Sequence, residues 1–310
     1  MTTKKIELNS ASIHGILPID KPHGITSMDV VRQIKRAIRQ KKVGHTGTLD
    51  PFATGVIPIC IGQATRLTEF LIDSTKEYTG LIELGIETNT YDSFGETTSI
   101  KSTKSIRYKD VQLALDNFSG QVQQIPPIYS ALKRNGKRLY DMARRGEDII
   151  MEPRLVNVFE IKLGSYEEPF ATVFVKCGKG FYMRSLAHDI GEILGTGAHL
   201  KDLRRIRTGP FSLEDCCTLE EAKEILNSGN YKKILRSPDS VLKHLKEVVV
   251  DESQITLVRT GQPLSLDLDH PVGVNNELIR VYSSEGKFIA LLKYKEMIGQ
   301  WYPKKVFDLT

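Results

Sequence analysis

The stretch that decides the fold is the loop Gly44-His45-Thr46-Gly47-Thr48-Leu49-Asp50-Pro51-Phe52-Ala53-Thr54-Gly55, which runs into the apolar segment 56–61. Glycines and a proline surround one carboxylate, so the pattern predicts that Asp50 lies on a constrained loop at the end of a buried strand. Functional residues are commonly carried by such loops. The simpler interpretation is that Asp50 caps a turn beside a proline. A phosphate-binding loop is disfavoured, because no Lys-Ser or Lys-Thr pair follows and a carboxylate would repel phosphate.

Four other motifs occur along the chain, and with the loop they span most of residues 13–220. They are Gly15-Ile16-Leu17-Pro18-Ile19-Asp20-Lys21-Pro22, Lys76-Glu77-Tyr78, Lys179-Gly180-Phe181-Tyr182-Met183-Arg184-Ser185, and Gly197-Ala198-His199 leading into Leu203-Arg204-Arg205. In order and spacing, this set resembles the TruB-type tRNA pseudouridine synthases, which make the pseudouridine of the tRNA T-loop. Several ordered motifs of this length are not expected by chance.

The resemblance implies an α+β fold, in which a mixed, mainly antiparallel sheet is flanked by helices. After a polar leader at 1–12, residues 13–240 are expected to form the catalytic domain. Residues 123–153 correspond to the RNA-binding thumb, which in the related synthases is mobile and closes on the RNA. Residues 248–310 form a β-rich unit similar to the small RNA-binding PUA domain, and a merely stabilising β appendage is the alternative.

Local signals predict several elements directly. A capping box that begins at Thr26 precedes an amphipathic helix with a basic face. Residues 76–86 have the pattern of a strand, and residues 108–118 have that of a helix. Another helix is predicted after the turn Gly178-Lys179-Gly180, with Gly195 at its end.

The composition is that of a soluble globular protein, with 310 residues, 40% hydrophobic and 26% charged. No apolar stretch is long enough to span a bilayer and no secretory segment follows Met1, so we expect a cytoplasmic protein without a membrane partner. The net charge of +5 is only mildly basic. Cations nevertheless concentrate in three segments, 32–42, 133–145 and 201–207. Such runs are often solvated helix faces, but their closeness to the motifs favours a surface that follows RNA phosphates.

The chain offers no sign of a cofactor or metal. Its four cysteines show no Cys-x-x-Cys pair and no histidine at metal-ligand spacing, so we expect neither a structural zinc ion nor a disulfide framework. The isomerisation of uridine to pseudouridine breaks one bond to the ribose and makes another, without redox change or group donor. The expected cofactor requirement is therefore none.

The resemblance implies three catalytic residues, Asp50, Tyr78 and Arg184. A carboxylate can attack a sugar carbon or stabilise positive charge that develops there, but burial alone would raise its pKa and protonate it. A nearby cation is therefore required, and the family match assigns that role to Arg184, whose planar guanidinium can pair with a carboxylate. Tyr78 corresponds to a tyrosine that lies against the target base and is a candidate proton acceptor. On sequence alone it would more often be a core aromatic of a strand.

Four further residues match positions that contact RNA or the base in the family. His45 matches a histidine thought to take up the space released when the target nucleotide flips out. Tyr182, Lys21 and Leu203 align with pocket or RNA-contacting positions. For Lys21, stabilisation of the turn at Asp20-Lys21-Pro22 is an alternative role, and for Leu203 a place in the core.

The leading hypothesis is a stand-alone synthase that acts on the T-arm stem-loop of tRNA as a monomer, without an obligate protein partner. One alternative is an RNA chaperone that grips and refolds tRNA without depending on catalysis, although a pure binder would not require a carboxylate that faces RNA. Another is a guide-RNA-dependent synthase related to dyskerin. The substantial thumb segment and the absence of extra basic tails disfavour that alternative.

Overall fold

The computed structural model describes residues 12–129, 133–134, 137–138, 151–266 and 273–309. Most of the predicted thumb, 123–153, and the predicted leader therefore lie outside the described residues. The described helices are α1 (Ser27–Ile38), α2 (Thr68–Ile72), α3 (Tyr108–Asp116), α4 (Met183–Leu194), α5 (Leu219–Asn227) and α6 (Glu252–Arg259).

The strands fall into a large and a small sheet, with two short hairpins beside them. The described strands are β1 (Gly15–Lys21), β2 (Val43–His45), β3 (Thr54–Ile61), β4 (Lys76–Leu84), β5 (Ile86–Thr88), β6 (Thr97–Ile100), β7 (Gly120–Gln124), β8 (Lys133–Arg134), β9 (Lys137–Arg138), β10 (Arg154–Glu167), β11 (Phe170–Cys177), β12 (Ala198–Thr208), β13 (Phe211–Ser212), β14 (Cys217–Thr218), β15 (Lys246–Val250), β16 (Leu278–Ser283), β17 (Phe288–Lys295) and β18 (Gln300–Val306).

The large sheet has the order β14-β1-β3-β12-β4-β11-β10-β7, with β2 paired to β3 and β13 to β12. Only the β1–β14 and β3–β12 pairs are parallel, and the other pairs are antiparallel. Helix α1 packs against α5, and α3 packs against α4. The predicted α+β class, with a mixed and mainly antiparallel sheet flanked by helices, is confirmed.

The local signals for helices in the first 200 residues are also confirmed. Thr26 caps α1, because its side chain accepts a hydrogen bond from the backbone N–H of Asp29 and the reciprocal bond is present. Gly195 ends α4 in the left-handed conformation, at φ 70°. Between β3 and β4 the chain forms a 3₁₀ segment, Gly62–Leu67, followed by the single turn of α2.

The C-terminal unit is a four-stranded sheet in the order β15-β16-β17-β18, with α6 after its first strand. The predicted small β-rich unit is confirmed, whereas its likeness to a PUA domain stays a prediction. It has its own core, which includes Val248, Ile279 and Trp301. A second apolar cluster joins it to the large sheet, with Phe288 and Phe307 packed together with residues of β1 and β3 such as Ile16 and Val56.

Gly55 is a position where only glycine fits, because the parallel strands β3 and β12 approach closely there. Its φ is +104°, and a Cβ atom would lie 2.1 Å from the carbonyl oxygen of Arg205. We expect Gly55→Ala to lower the free energy of unfolding by about 3 kcal/mol or more, from the clash together with the backbone strain.

The matched control is Gly195→Ala, where φ is +70° but no atom lies within 4 Å of the added Cβ. This variant should cost only the strain of the left-handed conformation, about 1 kcal/mol. Denaturant unfolding of both variants measures the difference. An equal decrease in the free energy of unfolding for Gly55→Ala and Gly195→Ala would contradict the close approach of the strands at Gly55.

None of the helices in the described ranges combines the length and the apolar character that a membrane span needs.

Candidate active site

The three predicted catalytic residues meet near the starts of the central strands β3 and β4 of the large sheet. Asp50 lies in the loop just before β3, and Tyr78 is the third residue of β4. Arg184 is the second residue of α4, which follows β11 after a turn at 178–182. Parallel pairing of β3 with β12 and antiparallel pairing of β4 with β11 and β12 bring these chain segments together.

Asp50 and Arg184 form a two-pronged ion pair. The Nε atom of Arg184 lies 3.0 Å from Oδ2 of Asp50, and its NH2 group donates to Oδ1 over 3.3 Å. The fork of the guanidinium thus contacts both carboxylate oxygens, a geometry that lysine cannot reproduce. The predicted proximity of these two side chains is present, although they are 134 residues apart in the chain.

Arg184 is itself held from several directions, and its side chain is only 7% exposed. Its NH1 group lies 3.3 Å from Oδ2 of the buried Asp92 and contacts the carbonyl oxygen of Thr90. Its NH2 group also donates to the carbonyl oxygen of Tyr129 over 3.0 Å. These contacts fix the guanidinium plane, so the side chain is pre-oriented toward Asp50.

The protonation of Asp50 reflects two opposing effects. A third of its side chain remains exposed, yet the surrounding protein displaces most of the water around the carboxylate. This burial raises the pKa of Asp50 above its ordinary value, Arg184 lowers it, and the charge of Asp92 raises it. The pKa of Asp50 is raised overall because burial outweighs the guanidinium, and Arg184 is the largest of the effects that favour the charged carboxylate.

A cavity of about 300 Å³ opens beside this ion pair, and we call it the Tyr78 cavity. Of the predicted site residues, Asp50, Tyr78, Tyr182, Arg184 and Leu203 line it. Leu203 is 6% exposed, so it belongs to the core and to the cavity wall together. The backbone of Tyr182 is fixed by Gln124, which accepts from its N–H and donates to its carbonyl oxygen. An apolar wall, three aromatic residues and the ion pair are suited to a flat polar ring such as a nucleobase.

Arg205 also lines this cavity. Its position corrects the prediction that the cations of segment 201–207 lie on a surface that follows RNA phosphates. The side chain is 2% exposed instead of facing solvent or phosphate. Its Nε atom donates to the carbonyl oxygen of Val56 over 2.7 Å, and NH2 donates to that of Gly47. Burial raises the pKa of Tyr78, whereas the Arg205 guanidinium lowers it by charge and by a hydrogen bond to the hydroxyl.

Lys21 and His45 are placed behind the Asp50 loop and not in the Tyr78 cavity wall. Lys21 is fully buried, and its Nζ atom donates to the carbonyl oxygens of Pro22, Ile25 and Pro51. Desolvation lowers the pKa of Lys21 to about 8, an effect that the charge of Asp50 opposes. This geometry favours the alternative role of Lys21, in which it fixes the turn and the Asp50 loop. Burial, followed by the charge of Arg205, lowers the pKa of His45.

Among the described residues, Glu87, His188 and Glu192 place ligand atoms within 4.8 Å of one another. They could hold a metal ion, but they do not line the Tyr78 cavity. The His188 ring stacks on Tyr91 at a centroid distance of 4.0 Å, and Nδ1 lies 3.4 Å from a Glu87 oxygen. The His188 ring is thus positioned by Tyr91 and lies next to the Glu87 carboxylate.

Comparison with known proteins identifies the family. A family model described as "TruB family pseudouridylate synthase (N terminal domain)" matches residues 35–183, and one described as "tRNA pseudouridylate synthase B C-terminal domain" matches residues 184–249. A "tRNA pseudouridine synthase B" of Dehalococcoides mccartyi strain BAV1 is 42% identical over 294 residues, covering 94% of this chain and 96% of the relative. The chain belongs to the TruB family of pseudouridine synthases.

Other relatives extend this TruB assignment. A "tRNA pseudouridine synthase B" of Geobacter sulfurreducens is 42% identical and covers 84% of this chain and 86% of its own length. Among solved structures, the chain is similar to one in "Crystal Structure of a Cbf5-Nop10-Gar1 Complex", with a TM-score of 0.70 and 26% identity, covering 95% of this chain and 84% of that chain. The predicted family resemblance and the pseudouridine synthase fold are therefore confirmed.

Three residues of this TruB site were missed by sequence reasoning. Asp92, Lys76 and Arg205 contact or line the site, but none was assigned a role in it. Lys76 lies within a quoted motif, and its Nζ atom donates to the carbonyl oxygens of Leu71 and Ser74. For Arg205, the alternation of a strand would have placed it on the same face as the apolar Leu203.

Proposed function

We propose that this protein isomerises the uridine at position 55, in the T-loop of tRNA, to pseudouridine. The observation that carries the proposal is the two-pronged pair of Asp50 and Arg184 at the wall of a cavity that also presents Tyr78. A half-buried carboxylate paired with a fixed guanidinium that favours its charged form is suited to a reaction at the ribose carbon of a nucleoside. The names of the relatives support tRNA as the substrate.

The reaction requires that the bond from N1 of uracil to C1' of the ribose breaks and that a bond from C5 to C1' forms. N1 ends with a proton, and C5 loses one, so the conversion is balanced without redox change or co-substrate. Asp50 provides the carboxylate beside C1' and the base, and Arg184 holds that carboxylate ionised. We therefore propose that neither a cofactor nor a metal takes part.

Tyr78 is the proposed acceptor of the C5 proton. Burial raises the pKa of Tyr78, so the hydroxyl carries its proton at rest, and the contact with Arg205 favours the phenolate. The proposed step is balanced when the phenol gives its own proton to N1 of the detached uracil and the resulting phenolate takes the proton from C5. Tyr78→Phe removes the hydroxyl and keeps the ring against the base. We expect the single-turnover rate to fall by about 100-fold, which is the lower end of the usual contribution of a general base.

The half-saturating RNA concentration of Tyr78→Phe should stay close to that of the wild type. If C5 deprotonation becomes rate-limiting, deuterium at C5 should slow the variant more than the wild type. An unchanged rate in Tyr78→Phe would contradict the assignment.

The target base must leave its stack to enter the Tyr78 cavity, which costs a few kcal/mol. Contacts to phosphates and to unpaired bases can offset that cost. We assign these contacts to the basic segments, the thumb and the PUA-like unit. His45 is proposed to fill the space left by the flipped nucleotide, and Tyr182 and Leu203 to contain the base.

The proposed partner is the T-arm stem-loop of tRNA, bound by a monomer in the cytoplasm without an obligate protein or guide RNA. Relatives that are 42% identical to this chain carry the name tRNA pseudouridine synthase B. The chain from the Cbf5-Nop10-Gar1 complex is only 26% identical. This difference favours the stand-alone enzyme over a guide-dependent one. A chaperone function on the same surface would coexist with catalysis.

The test is to incubate the purified protein alone with an unmodified tRNA transcript and to quantify pseudouridine in the digested nucleosides. We expect about one pseudouridine per tRNA, and none when the uridine at position 55 is replaced by cytidine. Pseudouridine that persists in the cytidine transcript would contradict the proposed position. RNA binding without any pseudouridine would favour the chaperone or the guide-dependent alternative.

A further inference from the structure

A second cavity, of about 490 Å³, lies on the other side of the ion pair, and we call it the Phe94 cavity. Asp50 and Arg184 line both cavities. Phe52, Phe94 and Tyr129 supply aromatic rings to the second one, and no part of the mechanism above uses it. The second cavity lies beside the reacting carboxylate and is large enough to take the base of a further nucleotide.

Phe94 is exposed yet held in place. Its side chain is 66% exposed, whereas the neighbouring Phe52 is 2% exposed. The ring of Phe94 lies 5.9 Å from that of Phe52 and 6.3 Å from that of His23, so one side is supported by aromatic neighbours. Single exposed apolar residues are common on proteins, so exposure alone says little. The position of this one at a cavity shared with the reacting pair is what requires an explanation.

The backbone of Phe94 is tied to the ion pair through Asp92. Oδ1 of Asp92 accepts a hydrogen bond from the backbone N–H of Phe94 over 3.0 Å and another from the hydroxyl of Thr90 over 2.6 Å. Oδ2 of the same carboxylate lies 3.3 Å from Arg184. The exposed ring therefore has a defined position relative to Asp50, as a fixed platform needs.

The charges of the Phe94 cavity disfavour phosphate. Among the described residues, its lining includes the carboxylates of Asp50, Asp92 and Glu96 and one cation, Arg184, which is already paired with two of them. The side chains of Asn89 and Thr90 at its wall already bond Glu96 and Asp92, and the second amide N–H of Asn89 and the hydroxyl oxygen of Thr90 keep hydrogen-bonding capacity for the edge of a base. An aromatic face beside neutral polar groups is the pattern that binds unpaired bases of RNA.

We propose that Phe94, supported by His23 and Phe52, stacks on the unpaired base of a nucleotide that directly flanks the target uridine. Neighbouring nucleotides are joined through one phosphate, so a target ribose at Asp50 leaves the flanking nucleotide within reach of this cavity. The inference rests on the proposed function and adds a second base-binding site to it. Stacking there would also offset the cost of opening the loop.

The test compares variants of Phe94 on the intact T-arm stem-loop. Single-turnover rates are measured against enzyme concentration, which separates half-saturation from the maximal rate. We expect Phe94→Ala to raise the half-saturating concentration about tenfold, within the range of base–aromatic stacking, with little change in the maximal rate. Phe94→Trp should have a half-saturating concentration close to that of the wild type, and Phe94→Leu should not. Tyr108→Ala, which removes another half-exposed aromatic outside both cavities, serves as the matched control and should resemble the wild type.

Two further stem-loops carry an abasic site on the 5' or the 3' side of the target. On one of these abasic RNAs, the affinity of the wild type should fall by about the same factor as the affinity of Phe94→Ala falls on intact RNA. The affinity of Phe94→Ala should be the same for that abasic RNA and for intact RNA. The inference would be overturned if, on both abasic RNAs, the affinity losses from the abasic site and from Phe94→Ala multiplied. It would also be overturned if Phe94→Leu had the half-saturating concentration of the wild type, or if Phe94→Ala did. A wild type that binds intact RNA without forming pseudouridine would overturn the proposed function and, with it, this inference.

Discussion

Replacing Asp50 with asparagine is expected to lower the single-turnover rate of pseudouridine formation by more than about 10⁴-fold, the scale found when a member of a catalytic group is removed. Asparagine has nearly the same size but carries neither the charge nor the nucleophilic oxygen. The contacts of Arg184 with Asp92 and with the carbonyl oxygens of Thr90 and Tyr129 should hold the rest of the site in place. RNA binding should therefore remain close to that of the wild type.

The matched control is Asp116→Asn, because Asp116 lies on α3, outside both cavities in the described part of the chain, and its carboxylate accepts a hydrogen bond from Gln112. Its rate should equal that of the wild type. A residual rate of Asp50→Asn within tenfold of the wild type would show that the carboxylate is not essential.

Replacing Arg184 with glutamine is expected to lower the rate by about 10³-fold, the upper range for loss of one pre-oriented electrostatic contact. The substitution removes both prongs of the contact with Asp50 and the charge that keeps it ionised. Arg184→Lys should recover only part of the rate, since an ammonium group cannot contact both carboxylate oxygens in the same plane. Asp92 loses its buried partner in Arg184→Gln, so the folding of this variant is checked by circular dichroism.

The pH dependence of the rate separates these effects. Asp50 works as a carboxylate, so activity is lost as the pH falls through its pKa. Burial raises the pKa of Asp50 and Arg184 lowers it, so removal of Arg184 leaves the raising effects of burial and Asp92 opposed by Lys21 alone. The acidic limb of the Arg184→Gln profile should therefore lie at higher pH than that of the wild type. An acidic limb that stays in place would contradict this coupling, and Arg107→Gln, outside both cavities, controls for the loss of a charge.

Much of the fold follows from local patterns. The Thr26 cap, the Gly195 stop and the buried strand after the Asp50 loop each have a short-range cause, and the structure contains all three. Helix α6 was missed because the C-terminal unit was predicted from its strands. Its signal was present, since Asp251 caps the helix and exchanges hydrogen bonds with Gln254 ahead of the buried Ile255 and Val258.

The site was predictable only through the family resemblance. Asp50 and Arg184 are separated by 134 residues, and no local pattern states that they touch. Asp92 had no signal that distinguishes it from another loop aspartate, because its importance comes from Arg184, 92 residues away. Arg205 was misinterpreted because a count of charges does not reveal which strand face a residue occupies. Its buried charge is explained by carbonyl partners that only the folded chain supplies.

The most direct measurement of the central claim uses a T-arm stem-loop that carries tritium at C5 of the target uracil. The new bond at C5 expels that hydrogen, so tritium released to water reports the reaction itself. We predict release of the label by the wild-type protein without cofactor, and none by Asp50→Asn although that variant binds the RNA. A wild type that binds the stem-loop and releases no tritium would contradict the account.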